Sequence, residues 1–491
     1  MRLPRFLASL TNDVPGCFWP RWLFLRGLGL IFLSAFYSLA FQIHGLIGER
    51  GILPARSYLR DVSTATGGVT KLWYAPTLLW LNASDRALTV VIAAGLLCSV
   101  LIVVNIRPRL AIALATVLFL SCVAALQDFS MYQSDGMLLE AGFLSFFFAP
   151  RGNRPGLGVD DPPSRFSLFM LRWEWFRIYF ESGVVKLASG DRHWRDLTAM
   201  DEYYQNGPLP AWPGWYVEQL PHWYHAGTVI ITLVVELVVV WAVFLARPLR
   251  LVCFAVVTAL QIGIIATANY AFLNYLVLLL GVLLLDDAAL ARVGLKVPPG
   301  SGGAARTQPP WRRRVEATVL GFVLYASIVA FVPTPAPGLL GWPAAFLYPF
   351  RIANAYGLFA TMTEQRYEIE FQGSNDGRTW VSYPFRYKPQ DLRERPGVYA
   401  PYQPRFDWNL WFASLGPWQA SPWVVAAQQR LVEGSPDVLR LFRNDPFHGQ
   451  PPAMVRTVLS QYWFTDPATK RATGNWWRKQ ELGVYTGVVS R

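Results

Sequence analysis

Over the first two thirds of the chain, apolar residues come in long runs and polar residues gather into short loops between them. Over a window of about 19 residues, the runs lie near 22–46, 88–106, 110–126, 137–150, 166–187, 226–246, 250–268, 271–285 and 317–333. A helix needs ~20 residues to cross the hydrocarbon core, and 137–150 and 271–285 fall short of that length. The pattern predicts a polytopic α-helical membrane protein of about nine spans over residues 1–342. The first run is too long for a signal-peptide core and lacks a small-residue cleavage pattern after it, so it reads as a retained helix.

From about residue 343 the texture changes to turn signals and short alternating runs. Apolar and polar residues alternate on both sides of Asn375-Asp376-Gly377 in QRYEIEFQGSNDGRTWVSYPFRY, a hairpin signal. This stretch resembles the GSxDGxTW hairpin of discoidin-like β-sandwich domains. SPWVVAAQQRLVEG (421–434) and PPAMVRTVLSQYWF (451–464) show helical spacing after Ser or Pro starts. Residues 343–491 are therefore expected to form an exterior α+β domain with a β-sandwich-like core.

Charge gives the orientation, because Lys and Arg accumulate in cytoplasmic loops. With nine spans, the N-terminal segment and the loops around 107–109, 151–165, 247–250 and 286–316 share one side. They hold most of the short-loop cations, Arg2, Arg5, Arg21 and Arg306 among them. The N-terminus is thus expected inside and the C-terminal tail outside. Membrane flanks account for the net charge of +12 without nucleic acid as a partner. The Pro/Gly-rich loop 297–314 ends in an arginine run suited to anionic headgroups. Cys17, Cys98, Cys122 and Cys253 lie in or beside apolar runs with no C-x-x-C pair, which excludes thiol exchange and a disulfide-built exterior domain.

Only 15% of the residues are charged, against about 25% in soluble domains, so each charge inside an apolar run stands out. A charge at mid-bilayer costs roughly 2.5–3.5 kcal/mol even on the lenient scale. In the fifth run, Glu174, Arg177 and Glu181 fall at i, i+3 and i+7, on one helical face. The plainer reading is an ion-pair stripe locking this helix to its neighbours. Lys186 points about 140° away from Glu181. Its candidate partners are Asp191 and His193 downstream, Asp128 and Asp135, and Glu140 in the fourth run. A desolvated lysine at a helix end can act as a base, with Asp191 and His193 as candidate catalytic neighbours; the plainer reading is a lysine snorkelling to the interface.

Five blocks in order resemble the lipase maturation factor family. They are LFLRGLGLIFLSAFYSLAFQIHGLIGERGILPA, SDGMLLEAGFLSFFFAPRG, ESGVVKLASGDRHWRDLTAMDEYYQNGPLP, YQPRFDWNLWFASLG and FRNDPFHGQPPAMVRTVLSQYWFTD, running from residue 23 into the C-terminal region. The resemblance implies a membrane protein whose C-terminal domain faces the secretory lumen, where animal members help lipases fold and assemble. The 38 Arg against 6 Lys point to a bacterial source, with the inner membrane and periplasm in place of the endoplasmic reticulum. Tyr203 stands where the family pattern has a histidine, and no other His, Cys or carboxylate spacing reads as a metal site; His222 and His225 read as an interfacial turn.

YFESGVVKLASGDRHW more remotely resembles a membrane-helix motif of vitamin K-dependent carboxylases and related horizontally transferred transmembrane domains. Only Lys186, Asp191 and Trp194 match, and in that class the matching lysine is the base. Two functions follow. The leading expectation is a non-enzymatic maturation factor without a cofactor, anchored in the bilayer and holding secreted clients such as lipases on a surface within 343–491. Trp408, Trp411, Trp418, Trp423, Trp463, Trp476 and Trp477 supply aromatic area there. The alternative is a membrane enzyme acting on a quinone- or isoprenoid-type substrate with Lys186 as general base. A transporter would show inverted repeats, and none is visible.

Overall fold

Each of the nine apolar runs forms a helix in the computed structural model, which describes residues 12–14, 16–297, 309–332 and 338–491. In chain order these are α1 (Phe18–Ile47), α2 (Asp85–Val103), α3 (Pro108–Val123), α4 (Gln133–Phe148), α5 (Arg165–Ala188), α6 (His222–Leu237), α7 (Arg247–Thr267), α8 (Leu273–Gly281) and α9 (Pro310–Phe331). Five are long and apolar enough to cross a membrane: α1, α2, α6 with its 3-10 continuation to Phe244, α7 and α9. α3 and Leu273–Leu284 are apolar but shorter. α5 has the length, at 24 residues, but carries the charges described above.

The cation-rich segments converge on one face of this helical body. Val14 donates its N–H to the Pro163 carbonyl, and Arg107 donates to that of Asn153. Arg21 donates to the carbonyls of Leu157, Gly158 and Asp161, Arg247 pairs with Asp286 and Arg313 with Asp13. Arg2, Arg5, Arg306 and most of the 297–314 loop lie outside the described residues.

The C-terminal region docks on the opposite face. Its core is one antiparallel sheet of order β2-β1-β3-β4, with β1 (Arg366–Ser374), β2 (Val381–Ser382), β3 (Met454–Phe464) and β4 (Trp477–Ser490). The hairpin forms about Gly377, which takes φ +69°, and the Asp376 carboxylate ties the turn by accepting the N–H groups of Arg378 and Thr379. The expected sandwich does not form. A single sheet carries helices α10 (Arg405–Ser414) and α11 (Trp423–Val432), with Phe371 of β1 packed against Phe406 and Phe442, because residues 383–453 fold into helices and loops instead of a second sheet.

The stretch 451–464, expected as a helix, is strand β3. Its apolar residues at 455, 458, 459 and 462 mimic i, i+3, i+4, i+7 spacing, but the cause is a register shift. The ladder to β4 slips between Thr457 and Val458, which shifts the phase of the in-out alternation. Buried positions run 455, 457, then 458, 460, 462 and 464.

A loop of the C-terminal region cements the halves together. The stretch 397–403 wedges between α1 and the start of α8: Ser34 donates to the Pro401 carbonyl, Gln42 to that of Gln403 and Asn269 to that of Gly397. Backbone of this irregular kind is tolerated at membrane depth only where protein covers it.

Close helix packing makes the body sensitive at small residues. A Cβ on Gly95 of α2 would lie 2.3 Å from the Phe36 ring of α1. Gly95→Val is expected to destabilise the protein by about 1–3 kcal/mol, read as a lowered melting temperature in detergent; an unchanged melting temperature would contradict this packing.

Candidate functional site

The polar residues of α4 and α5 meet the chain that leads into the C-terminal sheet. Arg177 pairs with Glu140, both fully buried, and donates to the Asn354 carbonyl at 2.6 Å. Glu140 also accepts the Tyr356 hydroxyl at 2.8 Å and the Asn354 side-chain amide at 3.0 Å. Glu181 accepts the Tyr356 backbone N–H at 2.6 Å, and Ser182 accepts that of Leu358 at 3.2 Å. The stripe predicted on α5 is therefore a cradle for residues 354–358. Glu174, one turn below Arg177, is buried with neither carboxylate oxygen hydrogen-bonded.

Asp135, at the first turn of α4, is bound by both terminal nitrogens of Arg405 at 2.7 Å, with both side chains fully buried. This is the bidentate fork that arginine alone provides. Arg405 also donates to the Phe129 carbonyl at 2.8 Å. Asp128, grouped with the intramembrane acids, is exposed, because it lies in the short turn Gln127–Ser130 joining α3 to α4. Its carbonyl accepts the Asn409 side-chain amide at 3.1 Å.

Lys186 pairs with none of its sequence-derived candidates. Its ammonium donates to both oxygens of Glu236 on α6, at 2.9 and 2.8 Å, and lies 5.1 Å from the centre of the Trp194 ring. Asp191 caps the turn Arg192–Arg195 instead: it accepts the N–H groups of His193 and Met362 and faces the His193 ring at 2.7 Å. Partial burial would raise its carboxyl, but these N–H donors and the ring hold it below the usual carboxylate range.

Sequence reasoning missed Arg366, Arg405, Glu236, Asn354 and Tyr356. Arg366 of β1 is buried between Glu368 and the carbonyls of Gln205, Gly207 and Pro208, a third anchor between the halves. A usable signal existed: α4 carries Asp135 and Glu140 with no cation of its own, so their partners had to come from elsewhere, and Arg405 stands alone in the aromatic run YQPRFDWNLWF.

Beside these anchors lies a cavity of about 420 Å³ walled by Tyr132, Tyr203, Tyr270, Phe359, Trp408 and Trp411. Its rim exposes Met131, Phe412 and Leu415. Tyr203 packs against Tyr204, Tyr270 and Phe359. His222 is exposed against Asp201, and His225 bonds the Leu220 carbonyl. Among the described residues no group of three His, Cys, Asp or Glu is placed to hold a metal.

Arg405→Gln should destabilise the protein by about 3–5 kcal/mol, the cost of leaving Asp135 buried without its counter-charge. Asp135→Asn combined with Arg405→Gln should recover part of that loss. Unfolding in detergent measures both, and strictly additive losses would show that the pair does not hold the halves together.

Two family models match in tandem: the lipase maturation factor transmembrane domain over residues 19–292 and the lipase maturation factor C-terminal domain over 352–487. The chain is 32% identical to human lipase maturation factor 2, over 96% of this chain and 82% of that one. It is 32% identical to bovine lipase maturation factor 1, over 97% and 90%, and 33% identical to chicken lipase maturation factor 2, over 96% and 81%. No solved structure matches. With both halves matched, and with the membrane helices and the C-terminal sheet joined through buried ion pairs, the chain belongs to the lipase maturation factor family.

Proposed function

We propose that this integral membrane protein assists the maturation of secreted clients such as lipases, without catalysis of its own. Residues 1–342 act as an anchor of nine spans, and residues 343–491 work on the exterior side, the periplasmic side of a bacterial inner membrane. The aromatic cavity and its rim of Met131, Phe412 and Leu415 offer an apolar surface for a client that is not yet folded.

One observation carries the non-enzymatic reading. The candidate base Lys186 is held by both oxygens of Glu236, and Asp191 is used as a helix cap. The donors of Lys186 face a carboxylate on α6 and the Trp194 ring, whereas a general base must face the proton it takes from a substrate.

Secreted activity of a co-expressed lipase tests this. Lys186→Arg keeps the charge beside Glu236 and is expected to leave client activation within about twofold, while Phe412→Ala with Leu415→Ala lowers it severalfold. A stably inserted Lys186→Arg variant with activity down by the ~10²–10⁴-fold of lost general-base assistance would overturn the reading in favour of a membrane enzyme. Topology is tested separately: a reporter fused after Arg491 should be active outside and one within 297–314 inside, and finding both on one side would refute the odd number of spans.

A further inference from the structure

A second cavity, of about 430 Å³, lies where α1 meets the C-terminal sheet domain, within the ~300–1,000 Å³ of small-molecule sites. On its membrane side stand Tyr37 and Phe41, which are 52% and 62% exposed. Together with Leu30 and Ser34 they form one stripe along α1, at i, i+4, i+7 and i+11. Phe41 is twenty residues above Arg21 of the cation-rich face, about 30 Å at 1.5 Å per residue. That is the thickness of the hydrocarbon core, so the two rings stand at the far interface, where aromatic belts form.

On its other side the cavity is bounded by Arg386, Arg440, Tyr387, Tyr402 and Asp407. Arg386 has no carboxylate within 4 Å among the described residues, and its Nε donates to the Arg440 carbonyl at 3.1 Å. Arg440 is 74% exposed and only loosely paired with Asp437 at 3.6 Å. Two arginines thus stand at the rim with little counter-charge. Deeper in, Asp407 is buried and accepts a long hydrogen bond from the Tyr387 N–H at 3.4 Å. The Tyr387 and Tyr402 rings pack at a tilt beside it, their centres 5.5 Å apart.

A cationic rim, an aromatic wall and an acidic floor at interface height match one chemistry, that of a phosphate joined to an ammonium above an acyl tail. We propose that this cavity holds the headgroup of a zwitterionic phospholipid from the leaflet next to the C-terminal domain. Arg386 and Arg440 take the phosphate, Tyr387, Tyr402 and Asp407 take the ammonium end, and Tyr37 and Phe41 lie along the acyl chains. Burial pushes the Asp407 carboxyl up to about 7 against the opposing charge of Lys388, and an ammonium beside it would add the counter-charge that favours its ionised form. The lipid would bridge α1 and the domain without any demand on the client.

The test uses the full chain in mild detergent, stripped of lipid, with short-chain phosphatidylethanolamine, short-chain phosphatidylglycerol and inorganic phosphate as probes. Native mass spectrometry and thermal shift are the readouts. Phosphatidylethanolamine should bind and raise the melting temperature, with at least tenfold weaker binding to the Arg386→Gln, Arg440→Gln double variant. Asp407→Asn should narrow its advantage over phosphatidylglycerol. Undiminished binding by the double variant, an equal shift from inorganic phosphate alone, or equal binding of phosphatidylglycerol to the unmodified protein would each overturn the proposal. Both arginines are on the surface, so the lipid-free melting temperature should not change; if it falls, Arg440→Gln alone provides the comparison.

Discussion

A buried charge must be met by an opposite charge or by hydrogen bonds, and in this protein the partners come from the far end of the chain. Asp135 is neutralised by Arg405, and Glu140 takes Arg177, Asn354 and Tyr356. Left unpaired, such groups cost several kcal/mol each in a low-dielectric interior. The same groups that would disfavour an isolated helical body thereby select one arrangement of the sheet domain upon it. Arg366, set into the carbonyls of 205–208, applies the rule in reverse, with a cation of the sheet satisfied by backbone of the helical half.

The positions of the helices were legible in the sequence, because length and hydropathy dominate helix formation in apolar runs. The hairpin was legible through Asn375-Asp376-Gly377. Strand β3 was not, since the register slip at Thr457 and Val458 turned a period of two into an imitation of a helical period. The sandwich expectation failed for a related reason: a local hairpin signature says nothing of what the next seventy residues do. In the site, the three charges of α5 could be placed on one face by counting. Their partners could not, because Glu236 and Arg405 lie 50 and 270 positions from Lys186 and Asp135, and sequence spacing carries no information at that range.

Lys186 shows how a motif and its environment can part company. The stretch around it resembles a catalytic segment, yet its ammonium faces a carboxylate on the neighbouring helix and the ring of Trp194. In that setting it joins α5 to α6 as Arg177 joins α5 to α4. The helical half is thus a stack of ionic contacts, and α5, at its centre, is the helix least suited to lipid and best suited to protein neighbours.

The pairing of Asp135 with Arg405 also sets a timetable for synthesis. At about 5–20 residues per second, the 270 residues between them separate insertion of the acid from arrival of its arginine by some tens of seconds. Throughout that interval the Asp135 carboxylate lacks its arginine, whereas Glu140 has Arg177 only 37 residues further on. A chain truncated before Arg405 would keep Glu140 paired with Arg177 but leave Asp135 buried without its counter-charge.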